Sequence, residues 1–136
     1  MITSEQRKAL VLTRIKQAED CIADAEYCMV GERHAMAANR IYYGMFYAML
    51  ALGLMHEFKT SKHQQMIGWF NKNFVHTGIF PKGFSRLIKN AFDLRSKVDY
   101  DVVPVPTAAN LEAMFVDMKL FISTIKAWIE EQLRKD

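Results

Sequence analysis

The sequence predicts a single all-α domain spanning residues 1–136, an antiparallel bundle of four long helices and a shorter one. Three observations carry this reading. Apolar residues recur at alternating steps of three and four along most of the chain, which is the spacing of one helical face. No convincing strand pattern, alternating apolar and polar residues with period two, is present. The breaks between periodic segments are short, and short connections make consecutive helices antiparallel neighbours. A chain of 136 residues fits one domain and hides roughly two-thirds of its unfolded surface. An apolar content of 51% sets it apart from disordered chains.

Thr3 or Ser4 is placed to cap the first helix. Val11, Ile15, Ala18, Ile22, Ala25 and Met29 form its apolar seam, while Arg14, Lys16, Glu19, Asp20 and Asp24 fall off it. Gly31 ends it. The second helix runs from about residue 33 to about residue 55 and is apolar nearly all round. Such a helix must be covered on most sides, so it is the predicted centre of the bundle. Its small residues Ala38, Gly44, Ala48 and Ala51 let neighbours approach closely.

Residues 58–61 form a connection, and a third helix follows with Met66, Ile67, Phe70 and Phe74 as its buried side. Thr77-Gly78 closes it, and Pro81 opens the next segment. Phe84, Leu87, Ala91, Leu94 and Val98 are the seam of a fourth helix, which carries Arg95. Pro104 and Pro106 prevent that helix from continuing, so residues 102–106 read as an extended connector. Thr107 caps the last helix. Leu111, Phe115, Met118, Ile122, Ile125 and Ile129 form its seam, and Met114, Phe121 and Trp128 add a flanking stripe.

The net charge of +3 tolerates a polyanionic partner without requiring one. The basic residues are dispersed, unlike the dense cluster of a dedicated nucleic-acid binder. Cys21 and Cys28 sit two helical turns apart, about 10 Å, too far for a disulfide within one helix. They read as reduced thiols of a cytoplasmic protein. Two cysteines and four scattered histidines supply no zinc spacing, so neither a metal nor a cofactor is expected. The polar run from Ser4 to Lys8 interrupts any signal-peptide pattern. The richest apolar stretch, residues 41–55, is shorter than the roughly 20 residues that span a bilayer, so no membrane segment is expected.

Chemistry concentrates in two places. Arg95 and Asp99 are four apart on a helix and share a face. They form either an ordinary intrahelical ion pair or, with Tyr100 and Asp101, a polar cluster at the helix end where a phosphate can approach. Asn39 and Arg40 begin a polar strip in the middle of an apolar run, and Tyr43 and Tyr47 continue it on the same face. A buried arginine requires a partner, for which Asp93, Asp99 and Asp101 are candidates. The strip is thus either a structural salt bridge between helices or a groove of Arg40, Tyr43, Tyr47 and Arg95 able to hold phosphate. Lys62 and His63 stand at a helix start, where anions are favoured, although a solvated charge run is the plainer reading. His34, His56 and His76 read as incidental. No glycine-rich phosphate loop and no G-x-S-x-G elbow is present.

At these residues the sequence resembles a known family. The run Ala38-Asn39-Arg40-Ile41-Tyr42-Tyr43-Gly44-Met45-Phe46-Tyr47-Ala48 is similar to the central-helix signature of HEPN domains, the higher-eukaryote and prokaryote nucleotide-binding family. It is most like the small stand-alone bacterial and archaeal subgroup. Lys59-Thr60, Phe74-Val75-His76-Thr77-Gly78 and Leu94-Arg95-Ser96-Lys97-Val98-Asp99-Tyr100 agree in order and spacing. The resemblance implies a helical bundle that often forms a homodimer. Many such proteins are RNA-cutting toxins, and many are encoded beside a small nucleotidyltransferase that acts as antitoxin. In active members an arginine is followed, after four to six residues, by a histidine, and the pair cleaves RNA without metal.

Arg95 matches that arginine, but the histidine window holds Tyr100, Asp101 and Val102. Histidine titrates near neutrality, whereas tyrosine near 10 and aspartate near 4 are poorer proton carriers by their reference values. Relatives often carry histidine directly after Lys-Thr, where this chain has Ser61, with His63 two places on. Three readings follow. The favoured one is binding of a nucleotide or RNA near Asn39, Arg40, Tyr43, Tyr47, Lys62, His63 and Arg95, in a pair with a nucleotidyltransferase that has Tyr100 as a candidate target for modification. The second is a metal-independent endoribonuclease using Arg95 with Asp99, Tyr100, Asp101 or His63. The third is a helical interaction module in which the arginines only pair with acids.

Overall fold

The first helix starts where its cap dictates. Thr3 Oγ1 accepts a hydrogen bond from the Gln6 amide at 3.0 Å, and Gln6 Oε1 accepts from the Thr3 amide at 2.9 Å. This reciprocal box satisfies two amides that the first turn leaves without partners. The computed structural model describes residues 1–99 and 106–135, with backbone alone for 97–99. Five α-helices follow one another: α1 (Ser4–Val30), α2 (His34–Met55), α3 (His63–Phe70), α4 (Phe84–Asp99) and α5 (Ala108–Arg134). A single π-helical turn, Asn71–Val75, continues α3. No strand occurs among the described residues.

The α1 stripe is rotated from the expected seam. Val11, Ile15, Ala18, Cys21, Ala25 and Cys28 are buried, while Ile22 and Met29 flank the core half-buried. Cys21 lies three residues beyond Ala18 and Ile22 lies four beyond it, and both steps fit one helical face. The choice is made by α2, which packs along α1. Both cysteines are free thiols.

The α2 helix is the centre of the bundle. It packs on α1, α4, α5 and α3, and Ala38, Gly44, Ala48 and Ala51 are all buried. Gly44 shows why small residues are needed. A Cβ there would fall on Met118 Cε of α5 and stand 3.1 Å from Cys21 Cβ of α1. Near the other end, Gly53 lies under the turn that follows α2, where a Cβ would come 2.8 Å from the Phe58 carbonyl oxygen.

The first two helices end in the same way. In α1 the Arg33 amide donates to the Cys28 carbonyl and the Glu32 amide to that of Met29. In α2 the Phe58 amide donates to the Gly53 carbonyl and the Glu57 amide to that of Leu54. Both are Schellman closures. The left-handed residue in each is a glutamate, Glu32 at φ 58° and Glu57 at φ 56°. Gly31, the expected terminator, instead has an ordinary φ of −83°.

Arg7 fixes the direction of the α1–α2 hairpin. Its guanidinium donates to the Leu54 carbonyl at 2.9 Å and pairs with Glu57 at 3.0 Å, so the start of α1 lies beside the end of α2. Lys126 of α5 pairs with Glu19 of α1 at 2.9 Å. Thr107 caps α5 by accepting from the Asn110 amide at 3.1 Å. The expected α5 seam is buried in full, and Phe121 joins it.

The π turn was not foreseen. There the His76 amide donates to the Asn71 carbonyl at 2.8 Å. Phe74 and Val75, adjacent in sequence, are both buried. Phe74 then joins Phe70, Phe80 and Trp128 in an aromatic core layer. His56, expected to be incidental, packs its ring on this layer, 5.4 Å from Phe74 and 6.2 Å from Trp128.

Candidate functional site

Between residues 39 and 50, α2 is buried except for Asn39, Arg40, Tyr43, Tyr47 and Leu50. The first four are the predicted polar strip, and they form one half-open edge of an otherwise covered helix. Tyr43 and Tyr47 lie four apart with their rings 6.2 Å from centre to centre, as neighbours on one helical face do.

Two arginines converge on Tyr43. Arg40, from the same helix, places its guanidinium carbon 5.5 Å from the ring centre. Arg95, from α4, places its own at 5.4 Å and donates from Nη2 to the Tyr43 hydroxyl at 3.3 Å. Arg95 also lies 5.8 Å from the Tyr42 ring. Both guanidiniums sit within the range at which the negative face of an aromatic ring attracts a cation.

The expected acidic partner of Arg40 is not Asp93. Lys89, in the same helix, takes that carboxylate at 2.7 Å, because the i, i+4 step keeps the pair within α4. Arg40 instead donates from Nε and Nη2 to Asn39 Oδ1, at 3.1 and 2.7 Å, and from Nη1 to Cys21 Sγ at 3.8 Å. The Asp99 side chain, Tyr100, Asp101 and the 102–105 connector lie outside the described residues, and so does the expected Arg95–Asp99 pair.

His63, the first residue of α3, is brought into the same cluster. Its ring stacks on Phe46 at 4.3 Å and meets Tyr43 edge-on at 5.8 Å. Its Nδ1 stands 2.8 Å from the Tyr42 hydroxyl. Burial pushes the His63 imidazole below its ordinary value, and the Arg95 charge pushes the same way. Burial drives the Tyr42 phenol far above its ordinary range, with Tyr43 adding to the effect and Arg95 opposing it. The pair is therefore a neutral imidazole bonded to a protonated phenol near neutral pH. Lys62 precedes His63 and is exposed, with its amide held by Thr60 Oγ1 at 3.1 Å.

The structure thus gathers Asn39, Arg40, Tyr43, Tyr47, His63 and Arg95 from three helices. Sequence reasoning missed Tyr42, Phe46 and Cys21, all read as core or as inert. One signal was available for Tyr42: a buried tyrosine hydroxyl normally finds a hydrogen-bond partner. Periodicity does not say which one.

Comparison with known proteins gives this geometry a family. The sequence pattern described as HEPN domain matches residues 11–128, which cover every helix that contributes to the cluster. A "UPF0332 protein" of Thermotoga maritima is 30% identical over 96% of this chain and 98% of its own length. Two proteins of Methanocaldococcus jannaschii, both bearing the words "putative toxin" in their names, are similar as well. One is 29% identical over 88% of each chain, and the other 28% identical over 85% of this chain and 78% of its own. With the match extending over most of its length and over all three helices of the cluster, the chain belongs to the HEPN domain family.

Proposed function

We propose that this protein binds RNA or a nucleotide through phosphate at the groove where Arg40 and Arg95 flank Tyr43, and that it is the toxin-type member of a pair with a nucleotidyltransferase. The observation that carries the reading is the pair of guanidiniums, from two helices, on one half-exposed tyrosine ring. Guanidinium offers planar, paired donors that match phosphate oxygens. Tyr47, half-exposed and 6.2 Å from the Tyr43 ring, offers a surface for a base, and base–aromatic stacking contributes about 1–3 kcal/mol per base. The toxin names of two relatives support the paired role.

The test is fluorescence anisotropy with a labelled single-stranded RNA. Arg95→Ala and Arg40→Ala each weaken binding at least about tenfold, the loss of one charge-assisted contact of roughly 1.5–3 kcal/mol. Unchanged affinity in Arg95→Ala, together with a lowered unfolding midpoint, would mean that the arginine only holds helices together and would favour the interaction-module reading. The pairing is tested by incubating the protein with a co-encoded nucleotidyltransferase and ATP. Mass spectrometry then shows a nucleotide adduct on Tyr100, and an unmodified Tyr100 removes that part of the proposal. Sedimentation of the purified protein shows the homodimer that the paired role implies.

RNA cleavage without metal is the second reading. What favours it is a histidine packed against the same two tyrosine rings as Arg95.

A further inference from the structure

We infer that the groove between the start of α1 and the end of α2 receives a helix of a partner protein, one with leucine-type side chains along one face and carboxylates beside them. The inference is independent of the RNA-binding reading. It concerns a different stretch of α2 and calls on neither Arg40 nor Arg95.

The groove has a volume of about 800 Å³. Its floor is a ridge of α2, where Phe46, Leu50 and Leu54 follow one another at steps of four, a row that keeps to one side of a helix. Leu50 and Leu54 stay half-open on a helix that is otherwise well covered. Leu10 of α1 borders them at 43% exposure, and Ile2 at 39%. Apolar side chains gathered at a surface and rimmed by polar ones mark an interaction site. The row also has the length of a helical contact. From Phe46 to Leu54 it rises about 12 Å, at roughly 1.5 Å per residue. Two turns of an approaching helix set anchors at i, i+3 or i+4 and i+7, a span of about 10.5 Å.

The walls are already fixed. On one side runs the connection 57–61, which starts from the closure of α2, with the Phe58 amide bonded to the Gly53 carbonyl at 2.8 Å. The Phe58 ring lies nearly parallel to that of Trp69 at 4.7 Å. Thr60 Oγ1 donates to Gln65 Oε1 at 2.6 Å and accepts from the Lys62 amide at 3.1 Å. On the other side Arg7 ties α1 to the Leu54 carbonyl and to Glu57. A preformed groove spares an occupant the cost of ordering it.

Charge selects the occupant. Arg7, Arg14 and Lys59 line the groove beside a single carboxylate, Glu57, which Arg7 takes. Arg14 donates to the neutral side chain of Gln17 at 2.9 Å. Among the described residues no carboxylate pairs with Arg14 or with Lys59. Two cations beside an apolar floor attract carboxylates that flank an apolar seam, and they repel a basic helix.

The experiment uses the full chain and a labelled, helix-forming peptide with leucines at steps of three and four and glutamates on both flanks, read by fluorescence anisotropy. The acidic peptide binds saturably. A peptide with lysine in place of every glutamate binds at least about tenfold more weakly, because like charges then face each other. The double variant Arg14→Glu, Lys59→Glu reverses that preference. Leu50→Ser, in the floor, weakens binding of the acidic peptide at least about tenfold, as removal of a central apolar anchor does. Absence of binding by the wild type overturns the proposal, and so does equal binding of the two peptides. Two further outcomes overturn it by assigning the groove elsewhere. A dimeric wild type that becomes monomeric in Leu50→Ser, by sedimentation, gives the groove to a second copy of the chain. An RNA affinity that falls as far in Leu50→Ser as in Arg95→Ala gives it to the nucleic acid. Should Leu50→Ser fail to fold, the charge-reversed variant, altered only at half-buried Arg14 and exposed Lys59, decides alone: an unreversed preference overturns the proposal.

Discussion

Arg95 is placed to act as more than a charge. Its guanidinium lies against two tyrosine rings and donates to one of their hydroxyls, and both contacts depend on a planar, delocalised cation. Lysine carries the same charge as a compact, strongly hydrated point. Arg95→Lys is therefore expected to lose most of the RNA affinity that Arg95→Ala loses, as read by anisotropy; full retention of affinity would show that charge alone is sufficient. Cys21 gives a second prediction. Its thiol is buried against Arg40, and burial pushes it above its ordinary value while the Arg40 charge opposes this only in part. The thiolate is the reactive form, so Cys21 is expected to resist iodoacetamide at pH 7.5 in the native state and to react once urea unfolds the chain. Rapid native labelling at Cys21 by peptide mass mapping would contradict this. Arg40, Tyr43 and Tyr47 were legible in the sequence because polar and amphipathic residues at helical spacing stand out in an apolar helix. The Tyr42–His63 bond was not legible. It joins residues 21 apart in sequence across an irregular connection, and no periodicity links them.

The five helices were legible for the reason that seams predict faces. The caps at Thr3 and Thr107, the α2 core and the α5 stripe follow from residue type and spacing. The rotation of α1 toward Cys21 and Cys28 was not, because steps of three and four are equivalent until a neighbour chooses between them. The π turn at Asn71–Val75 was hidden as well, since Phe70 and Phe74 keep an ordinary helical step on either reading. The helix ends carry a prediction of their own. Glu32 occupies the left-handed region at φ 58°, which costs a side-chain-bearing residue about 1–2 kcal/mol and glycine almost nothing. Gly31, one place earlier, spends its conformational freedom on an ordinary φ. Glu32→Gly is expected to raise stability by about 0.5–1 kcal/mol after the added unfolded-state entropy is counted, seen as a higher urea midpoint with an unchanged slope. A lower midpoint would place the Schellman closure of α1 in doubt. Gly44→Ala is expected to act the other way, by about 1–3 kcal/mol. The new methyl meets Cys21 and Ile122 at 3.1 and 3.3 Å and displaces Met118.

For the molecule as a whole, the histidines couple the site to the stability of the fold. No described helix is long and apolar enough to cross a membrane, and the core is formed by the apolar faces of all five helices. His63 is held against α2 beside Arg95, and His56 against the aromatic layer of α5 and the π turn. Burial lowers both imidazoles, and Arg95 adds to the effect on His63. In the unfolded chain each histidine takes up a proton near its ordinary value of about 6.5. Below that pH the unfolded state binds more protons than the folded one, so stability falls with falling pH. Above it neither state is protonated, and the full stability is present. The loss therefore begins near 6.5 and continues until the folded imidazoles also protonate. Asp117, raised by burial, works in the opposite sense, but only in the lower carboxylate range. Urea midpoints are thus expected to hold steady from pH 8 to pH 7 and then to decline toward pH 5.5. His63→Gln should flatten part of that decline and His56→Gln another part. A decline of unaltered slope in the His56→Gln, His63→Gln double variant would show that neither imidazole is held neutral by the fold.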